Sequence, residues 1–431
     1  MKRMVQWLVA GTFTLGAAPA LWAVSSDVDI LLNTLVQKGI LTEGDAVQIR
    51  QEIADTKGPR TQQLAKEVVP AWAQRITISG DMRLRSEHIW RDETTSATKT
   101  RNRYRGRLRV GAKANISEQV EAGFRLATGT DTDPIGPNQS ATDSFDKKNL
   151  FIDQAYVKLT TAHTAFEAVP LTFWGGKFES PFYSSSLVWD PDVTFEGAAL
   201  ALTPAAGPVT GWLTGGVFPI EEISAKGGDP TLWGSQAGAS WAVAPDADAP
   251  WLKALTVKGS LSYYDFANLE NGIDVHESST FGNSGTVSGA AAPFTFRPAA
   301  GVDYDELDLN GEVTSELLGK PVRLHADYVK NTAISDNDEG FQIGAKFGKA
   351  DKPLAWEAGY DYQRLEPDAV LGVFTDSDFG VGGANRSGHV YYATLGTLKN
   401  STLGVKWFVT EAATGTAAAA DRLQVDWLTK F

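Results

Sequence analysis

The dominant pattern in this sequence is an alternation of hydrophobic and polar positions from residue 75 to the last residue, 431. Leu108 and Val110, for example, alternate with Arg107 and Arg109, and the alternation recurs as far as the closing segment at 420–431. A period of two directs successive side chains to opposite faces of a strand. The pattern therefore predicts an all-β structure whose strands each have one apolar and one polar face.

Sixteen such segments begin near residues 75, 101, 119, 150, 169, 194, 209, 231, 252, 304, 321, 339, 354, 387, 401 and 420. Long and short connections alternate between them, and the longest covers 267–303. Long loops on one side and tight turns on the other are typical of a transmembrane antiparallel β-barrel in the outer membrane. We therefore expect a 16-stranded barrel over 72–431, with both of its ends on the periplasmic, short-turn side.

A soluble β-sandwich or solenoid would also alternate, but it would bury its strands against a second layer of similar apolar character. In this chain the polar face carries many charges, and closure would pair every strand edge in lipid. Several tryptophans also fall near predicted strand ends, where an aromatic girdle would lie. They are Trp72, Trp90, Trp212, Trp251, Trp356, Trp407 and Trp427.

Residues 24–71 follow a different, helical period and predict a short periplasmic segment with a linker. Leu31 and Leu35 belong to an apolar stripe, and Gly39 is placed to end the first helix. Thr42 and Asp45 resemble a capping box that starts a second helix. The segment is either a simple hairpin or an oligomerisation element, because two short amphipathic helices bury little surface alone.

The first 23 residues have the form of a secretory signal peptide. Lys2 and Arg3 are followed by an apolar or small run from Val5 to Leu21, and small residues at Ala20–Ala23 suit cleavage after Ala23. The alternative is an uncleaved N-terminal anchor. Later segments lack the run of 18 or more apolar residues that a membrane helix needs. These features predict an exported protein.

Composition limits the chemistry that we expect. The chain has no Cys and only five, scattered His, which removes thiolate chemistry and gives little support to a metal site. Gly-x-Ser-x-Gly and His-Glu-x-x-His motifs do not occur, so we predict no catalytic residues, no cofactor and no enzyme. A formal net charge of −13 argues against nucleic acid as a partner.

The most unusual run in the chain is Arg101–Arg109, in which every second residue is arginine. Because the hydrophobic residues between them take the lipid side, the arginines should project into the barrel, where they avoid a cost of about 2–4 kcal/mol each. Together with neighbouring strands they predict a basic wall made of Arg83, Arg85, Arg103, Arg105, Arg107, Arg109 and Arg125. The alternative is that they pair with interior carboxylates and fill the barrel.

An acidic counterpart lies around the connection between the fifth and sixth strands. This connection is rich in aromatic and apolar residues, among them Phe182 and Trp189, which should fold it inward against the wall. Its acidic residues could then face the arginines across a narrowed lumen: Glu179, Asp190, Asp192 and Glu196. Opposed charges of this kind produce a transverse field that screens solutes. The alternative is an external loop with a proline-fixed turn.

With these features the chain resembles a bacterial outer-membrane porin, most closely the porin family with a short helical N-terminal segment. The resemblance rests on Leu31–Thr42, Gly80–Arg85, Arg101–Arg109, Gly176–Pro181, Trp189–Asp192 and the terminal Phe431. It implies a sixteen-stranded barrel, a homotrimer, and a third loop that constricts the channel. Phe431 resembles the signal that the barrel-assembly machinery reads.

The expected function is a water-filled channel in the bacterial outer membrane for passive diffusion of small hydrophilic solutes or ions, with a bias toward anions. Its expected partners are outer-membrane lipid, those solutes, two further copies of the chain and the assembly machinery. The alternative from another class is a non-conducting or gated barrel that sheaths a partner or acts as an adhesin. The 267–303 loop fits either a partner contact or a lid.

Overall fold

The computed structural model describes residues 26–49, 51, 73–91, 100–161, 169–224, 227–415 and 419–431. The expected signal peptide, the linker that precedes the barrel and Trp72 lie outside the described residues. The chain divides into two compact units, Met1–Gln74 and Arg75–Phe431.

The N-terminal unit contains the two predicted helices. Helix α1 covers Ser26–Gln37, and Gly39, with a φ of 66°, follows it in a left-handed conformation that a residue with a Cβ rarely adopts. The second helix, α2, is described over residues 43–49. The predicted capping box is confirmed, because the Asp45 amide donates to Thr42 Oγ1 and the Thr42 amide donates to Asp45 Oδ2, at 3.2 and 3.0 Å. None of the helices in the described part of the chain is long and apolar enough to cross a membrane.

The second unit is built around a large antiparallel sheet that closes on itself. Its sixteen long strands are β1 Ile76–Arg91, β2 Arg101–Asn115, β3 Val120–Thr128, β4 Leu150–Thr161, β5 Leu171–Glu179, β6 Thr194–Leu202, β7 Val209–Pro219, β8 Thr231–Ala242, β9 Thr256–Ala267, β10 Asp305–Leu317, β11 Lys320–Asn331, β12 Glu339–Gly348, β13 Trp356–Leu365, β14 Arg386–Leu398, β15 Ser401–Glu411 and β16 Ala420–Lys430. Each strand pairs with its neighbour in sequence, and β1 also pairs with β16, which closes the barrel.

Shorter elements complete the fold. Two-residue strands at Gln139–Ser140 and Ala205–Ala206 extend the barrel sheet. A separate three-stranded sheet is formed by Ile273–Val275, Gly285–Ser288 and Phe294–Pro298. Single helical turns occur at Ala73–Arg75, Asp143–Phe145, Pro250–Lys253, Leu269–Asn271 and Gly372–Phe374.

The predicted barrel is confirmed strand by strand. The largest difference is at β9, which was expected from 252 and starts at Thr256, because Pro250 begins a helical turn just before it. The tight turns are also present: Leu318 and Gly319, with φ of 54° and 71°, connect β10 to β11. Two central residues with positive φ match the twist of a hairpin.

The two faces of the barrel differ as the alternation requires. Met82 and Leu84 point outward and are about half exposed. Arg85 and Glu87, on the other face of the same strand, are buried inside the barrel. The predicted girdle positions Trp90, Trp251, Trp356, Trp407 and Trp427 are exposed, as are Trp233 and Trp241, which the sequence did not single out.

Trp212 was assigned to the girdle wrongly. Its indole Nε1 donates to Gln236 Oε1 at 2.7 Å, and the Lys258 ammonium lies 5.5 Å from its ring. The neighbouring Leu213, which is 53% exposed, takes the outward position. Since side chains alternate, Trp212 must then point into the barrel.

Much of the barrel interior is filled by loops from the long-loop side. We number those loops in chain order, so that loop 3 is 180–193, loop 5 is 268–304 and loop 7 is 366–385. All three contribute buried hydrophobic side chains to one core, which also includes inward-facing residues of β5 to β9. The lumen is therefore shaped by loops as much as by strands.

Candidate functional site

The arginines of β1 and β2 face one another across adjacent strands inside the barrel. The register places Arg83 opposite Arg107 and Arg85 opposite Arg105. Like charges directly opposite one another destabilise a sheet. The wall therefore requires carboxylates close by, and the first comes from Asp81, which lies opposite Arg109.

Most arginines of the wall are held by carboxylates of the neighbouring strands. Asp81 accepts from Arg107 at 2.8 Å and from Arg109 at 2.7 Å. Asp426 on β16 accepts a bidentate pair of bonds from Arg85 at 2.7 and 2.8 Å. Glu87 binds Arg103 on β2, and it is almost fully buried. These charge-assisted bonds fix the guanidinium planes.

Loop 3 folds into the lumen on an aromatic anchor, as its composition predicts. The Trp189 ring lies 4.8 Å from that of Phe195 and 5.3 Å from that of Tyr264, and Phe182 also lies 5.2 Å from Tyr264. Leu187 is fully buried in the same cluster. Edge-to-face aromatic contacts of this kind stabilise packing beyond the area that they bury.

A polar clamp holds the start of loop 3 on the opposite wall from the arginines. Gln236 on β8 accepts from the Tyr183 amide at 2.9 Å and donates to the Tyr183 carbonyl at 2.8 Å. The Ser185 hydroxyl donates to Asp327 on β11. Loop 3 is thereby fixed at β8 and β11 before it crosses the lumen.

Asp192, at the far end of loop 3, reaches the basic wall. It accepts from Arg107 Nη1 at 3.3 Å and from Arg109 Nη1 at 3.0 Å. The structure therefore brings Asp192 to the arginines through direct ion pairs. Both arginines are shared between Asp81 on the wall and Asp192 on the loop.

Asp190 occupies a different place from the one expected, because its partners are backbone amides. It accepts from the amides of Asp192 at 2.8 Å and Ser377 at 3.0 Å, and its own amide donates to the Phe374 carbonyl. Burial, together with the nearby carboxylates of Asp376 and Asp192, raises the pKa of Asp190 well above its usual value. Asp190 thus joins loop 3 to loop 7, and it pairs with no arginine of the described residues.

Loop 7 also enters the lumen, which the sequence reasoning missed. Its Asp378 accepts from Arg85 at 2.6 Å and from Arg422 on β16 at 2.9 Å. Burial would raise the pKa of Asp378, but these two guanidiniums lower it well below its usual value. The apolar run from Ala369 to Phe374, flanked by acidic residues, is a signal that could have identified a second inward loop.

Loop 5 holds loop 7 in position through the side chains of Asn283 and Tyr304. The Asn283 amide donates to the carbonyls of Pro367 and Val370 at 2.7 and 2.8 Å and accepts from the Gly372 amide at 2.8 Å. Asp368 on loop 7 accepts from the hydroxyl of Tyr304, at 2.9 Å. Loops 3, 5 and 7 therefore form one connected layer.

The two remaining acidic candidates lie away from the centre of the wall. Glu179 accepts from Arg125 at 2.9 Å, and Arg125 also binds Asp153. Glu196 pairs instead with Lys177, at 3.6 Å. Because Phe195 next to it points into the core, Glu196 points away from the lumen, and the structure does not bring it to the arginines.

Arg83 and Arg105 differ from the other arginines of the wall. Within the described residues each is bonded only to Asn138, Arg83 to its side-chain oxygen at 2.6 Å and Arg105 to its carbonyl at 3.3 Å, and neither has a carboxylate partner. Arg83 also lines a cavity of about 510 Å³ on the short-turn side, with Lys352 and Lys406 among its other cations. The described residues contain no group of three or more His, Asp or Glu side chains suited to a metal ion.

Phe431 closes the sheet on the short-turn side. Its amide donates to the Gly80 carbonyl at 3.0 Å, and the Gly80 amide donates to the Phe431 carbonyl at 2.9 Å. The Phe431 ring occupies the space in which a side chain at Gly80 would lie. The terminal residue is therefore part of the β1–β16 seam.

Comparison with known structures supports the same barrel. The chain superposes on the high-pH structure of Pseudomonas putida OprB with a TM-score of 0.52 at 12% identity. The superposition covers 88% of this chain and 97% of OprB. Salmonella typhi OmpF gives a TM-score of 0.48 at 10% identity over 83% of this chain and 97% of its own. A mutant of Rh. blastica porin gives 0.44 at 9% identity over 83% and 100%. The OprB likeness supports the fold alone.

The family comparison goes further, since it covers most of the chain. No curated protein matches the sequence. Residues 90–297 and 297–431, however, match the family described as "Putative porin". The family and the fold are those of a channel rather than an enzyme, and they locate the protein in the bacterial outer membrane. The chain therefore belongs to this porin family and is an outer-membrane β-barrel channel.

Proposed function

We propose that the channel conducts small hydrophilic solutes by passive diffusion and favours anions. The observation that carries this proposal is the pair Arg83 and Arg105, which are bonded to Asn138 in the connection between β3 and β4 and have no carboxylate partner among the described residues. Uncompensated cations in a narrow, low-dielectric passage attract anions and repel cations.

The acidic side of the lumen does not offset this charge. Glu306 and Asp327 are almost fully buried, and they are covered by loops 7 and 3. The Leu371 amide donates to Glu306 at 2.9 Å, and Ser185 donates to Asp327. Charges covered in this way are remote from a passing ion, so the net charge of the whole chain is a poor guide to selectivity.

Reversal potential in a planar bilayer across a KCl gradient tests the proposal. We expect the wild type to prefer chloride, and the double variant Arg83→Gln and Arg105→Gln to shift the potential toward the potassium value. The control is the variant that carries both Arg323→Gln and Glu312→Gln, because it removes an arginine together with its partner at 2.6 Å and leaves the net charge unchanged. An unchanged potential in the variant of Arg83 and Arg105 would remove these two arginines from the filter.

A second candidate function is a gated barrel, and the layer formed by loops 3, 5 and 7 favours it. Asn283, Asp190 and Asp378 join these loops to each other and to the wall. A barrel in which the layer moves would conduct in discrete closed and open states. Absence of any conductance from the folded protein would favour a role as a partner sheath or adhesin instead.

We also propose a homotrimer that contacts its neighbours through the outer face of β1 and β2. Ser86, Asn102 and Gly106 interrupt the apolar surface there, and His88 is hydrogen-bonded to Asn102. Polar groups facing lipid are unfavourable unless a partner covers them. Light scattering in mild detergent should give the mass of three chains, and a monomer would contradict the proposal. Assembly would depend on the terminal Phe431.

A further inference from the structure

A small cavity at the long-loop end of the barrel lies outside the arginine wall described above. Its volume is about 300 Å³, which is the lower end for small-molecule sites. The ends of β1 and β14 and the start of β16 form it together with loops 5 and 7. Its chemically distinctive lining residues are Arg91, Glu277, Ser279, Phe281, Val381 and Arg386.

Among the described residues, the two arginines of this cavity have no hydrogen-bonded or ion-paired partner. Neither Arg91 nor Arg386 makes a hydrogen bond or ion pair within the described part of the chain, and the Nε of each is buried without a partner. Arg103 and Arg422, in contrast, both interact with Glu87. Two like charges in one enclosed space repel each other and have lost part of their hydration. A bound anion would remove both costs.

The cavity is held in shape by the loops that form it. The Ala384 amide donates to the Phe281 carbonyl at 2.7 Å, which joins loop 7 to loop 5 beside the cavity. Gly282, at a φ of 84°, has no room for a side chain because the backbone of Ala384 occupies that space. The Asn283 clamp follows directly in the chain. The arginines therefore meet at a preformed site.

We propose that this cavity binds a small organic monocarboxylate. Guanidinium groups match the two oxygens of a carboxylate with parallel hydrogen bonds. Phe281 and Val381 offer an apolar surface for a short carbon chain. Glu277 reduces the formal charge of the lining to +1, which favours a monoanion over phosphate or a di- or tricarboxylate. The role of this site as an entry site on an anion pathway rests on the proposed function. Binding of the carboxylate, however, can be measured without measuring conductance.

Ligand-observed NMR on the full chain in detergent tests the proposal, with propionate as the probe. We expect a saturable propionate signal that 1-propanol, its uncharged analogue, does not displace. Arg91→Gln and Arg386→Gln should each weaken binding about tenfold, the effect of losing one charge-assisted pair. Arg386→Lys keeps the positive charge but loses the planar guanidinium, so it should also weaken propionate binding. This conservative variant is a check against misfolding of the glutamine variant.

The matched control is Arg297→Gln, which removes one positive charge from loop 5 at a residue that does not line the cavity. Equal weakening in this control, or a signal that does not saturate, would overturn the site. Displacement of propionate by phosphate at lower concentration would overturn the monocarboxylate class. Conductance without propionate binding contradicts this inference alone, whereas binding without conductance contradicts the proposed function and supports the site.

Discussion

The β1–β2 side of the lumen and the β9–β11 side are built from the same alternating strands, yet they present their charges in different ways. On the first side arginines remain close to the lumen, paired with Asp81, Asp192 and Asp378 or left without a carboxylate. On the second side Glu306 and Asp308 are 1% and 0% exposed beneath loops. Strand alternation selects the face on which a charge lies, and the loops decide whether a solute meets it.

Uncovering the second side should have the largest effect. Trp189→Ala removes the ring that packs on Phe195 and Tyr264, and loss of a buried tryptophan costs about 3–5 kcal/mol. We expect loop 3 to detach, the single-channel conductance to rise and the anion preference to fall as the buried carboxylates meet water. Trp251→Ala, at a 56% exposed position, is the control. Equal conductance in both variants would show that the polar clamp alone holds loop 3.

Removing a carboxylate from the first side should have a somewhat smaller effect. Asp378→Asn leaves Arg85 and Arg422 without one shared counter-ion, a loss of about 1.5–3 kcal/mol for hydrogen bonds to a charged group. We expect weaker docking of loop 7 and a reversal potential shifted further toward chloride. Asp351→Asn, whose partner is Lys349 on an exposed turn, should change neither. A shift toward potassium would contradict the assignment of excess positive charge to this wall.

The sequence was informative about the strands because alternation is a local signal. It identified the side on which Arg103–Arg109 lie, since Leu108 and Val110 require the lipid face. On β6, Leu200 points outward, and Glu196 lies four residues before it and therefore on the same outer face. The small residues of that strand made this alternation hard to recognise in the sequence. Loop 7 was missed for a different reason, because its position depends on Asn283 and Arg85, which are distant in sequence.

Acidification should distinguish the two loop contacts. Asp190 has a raised pKa, so its ionised form weakens the contact between loops 3 and 7. Protonation of Asp190 therefore strengthens that contact as the pH falls through its pKa. Asp378 has a lowered pKa. Its stabilisation of the contact between loop 7 and the arginines is therefore fully present above the usual aspartate pKa and is lost only below it. We therefore expect conductance to decrease on mild acidification and to recover in strong acid. A conductance that rises steadily from neutral pH would contradict this order, and Asp190→Asn should remove the first phase.

The smallest effect is expected outside the lumen, at Glu196, and it sharpens the comparison of the two sides. Glu196 has a side chain that is 70% exposed and pairs with Lys177 at 3.6 Å. Exposed pairs of this kind contribute about 0–1 kcal/mol. Glu196→Gln should therefore leave both stability and reversal potential unchanged, although it removes the same charge as Glu179→Gln, which frees Arg125 from one partner. An equal shift of the reversal potential in the two variants would contradict this expectation. It would show that charges near the pore mouth act through the summed electrostatic field of the protein, and that selectivity does not depend on whether a carboxylate faces the lumen or the outside.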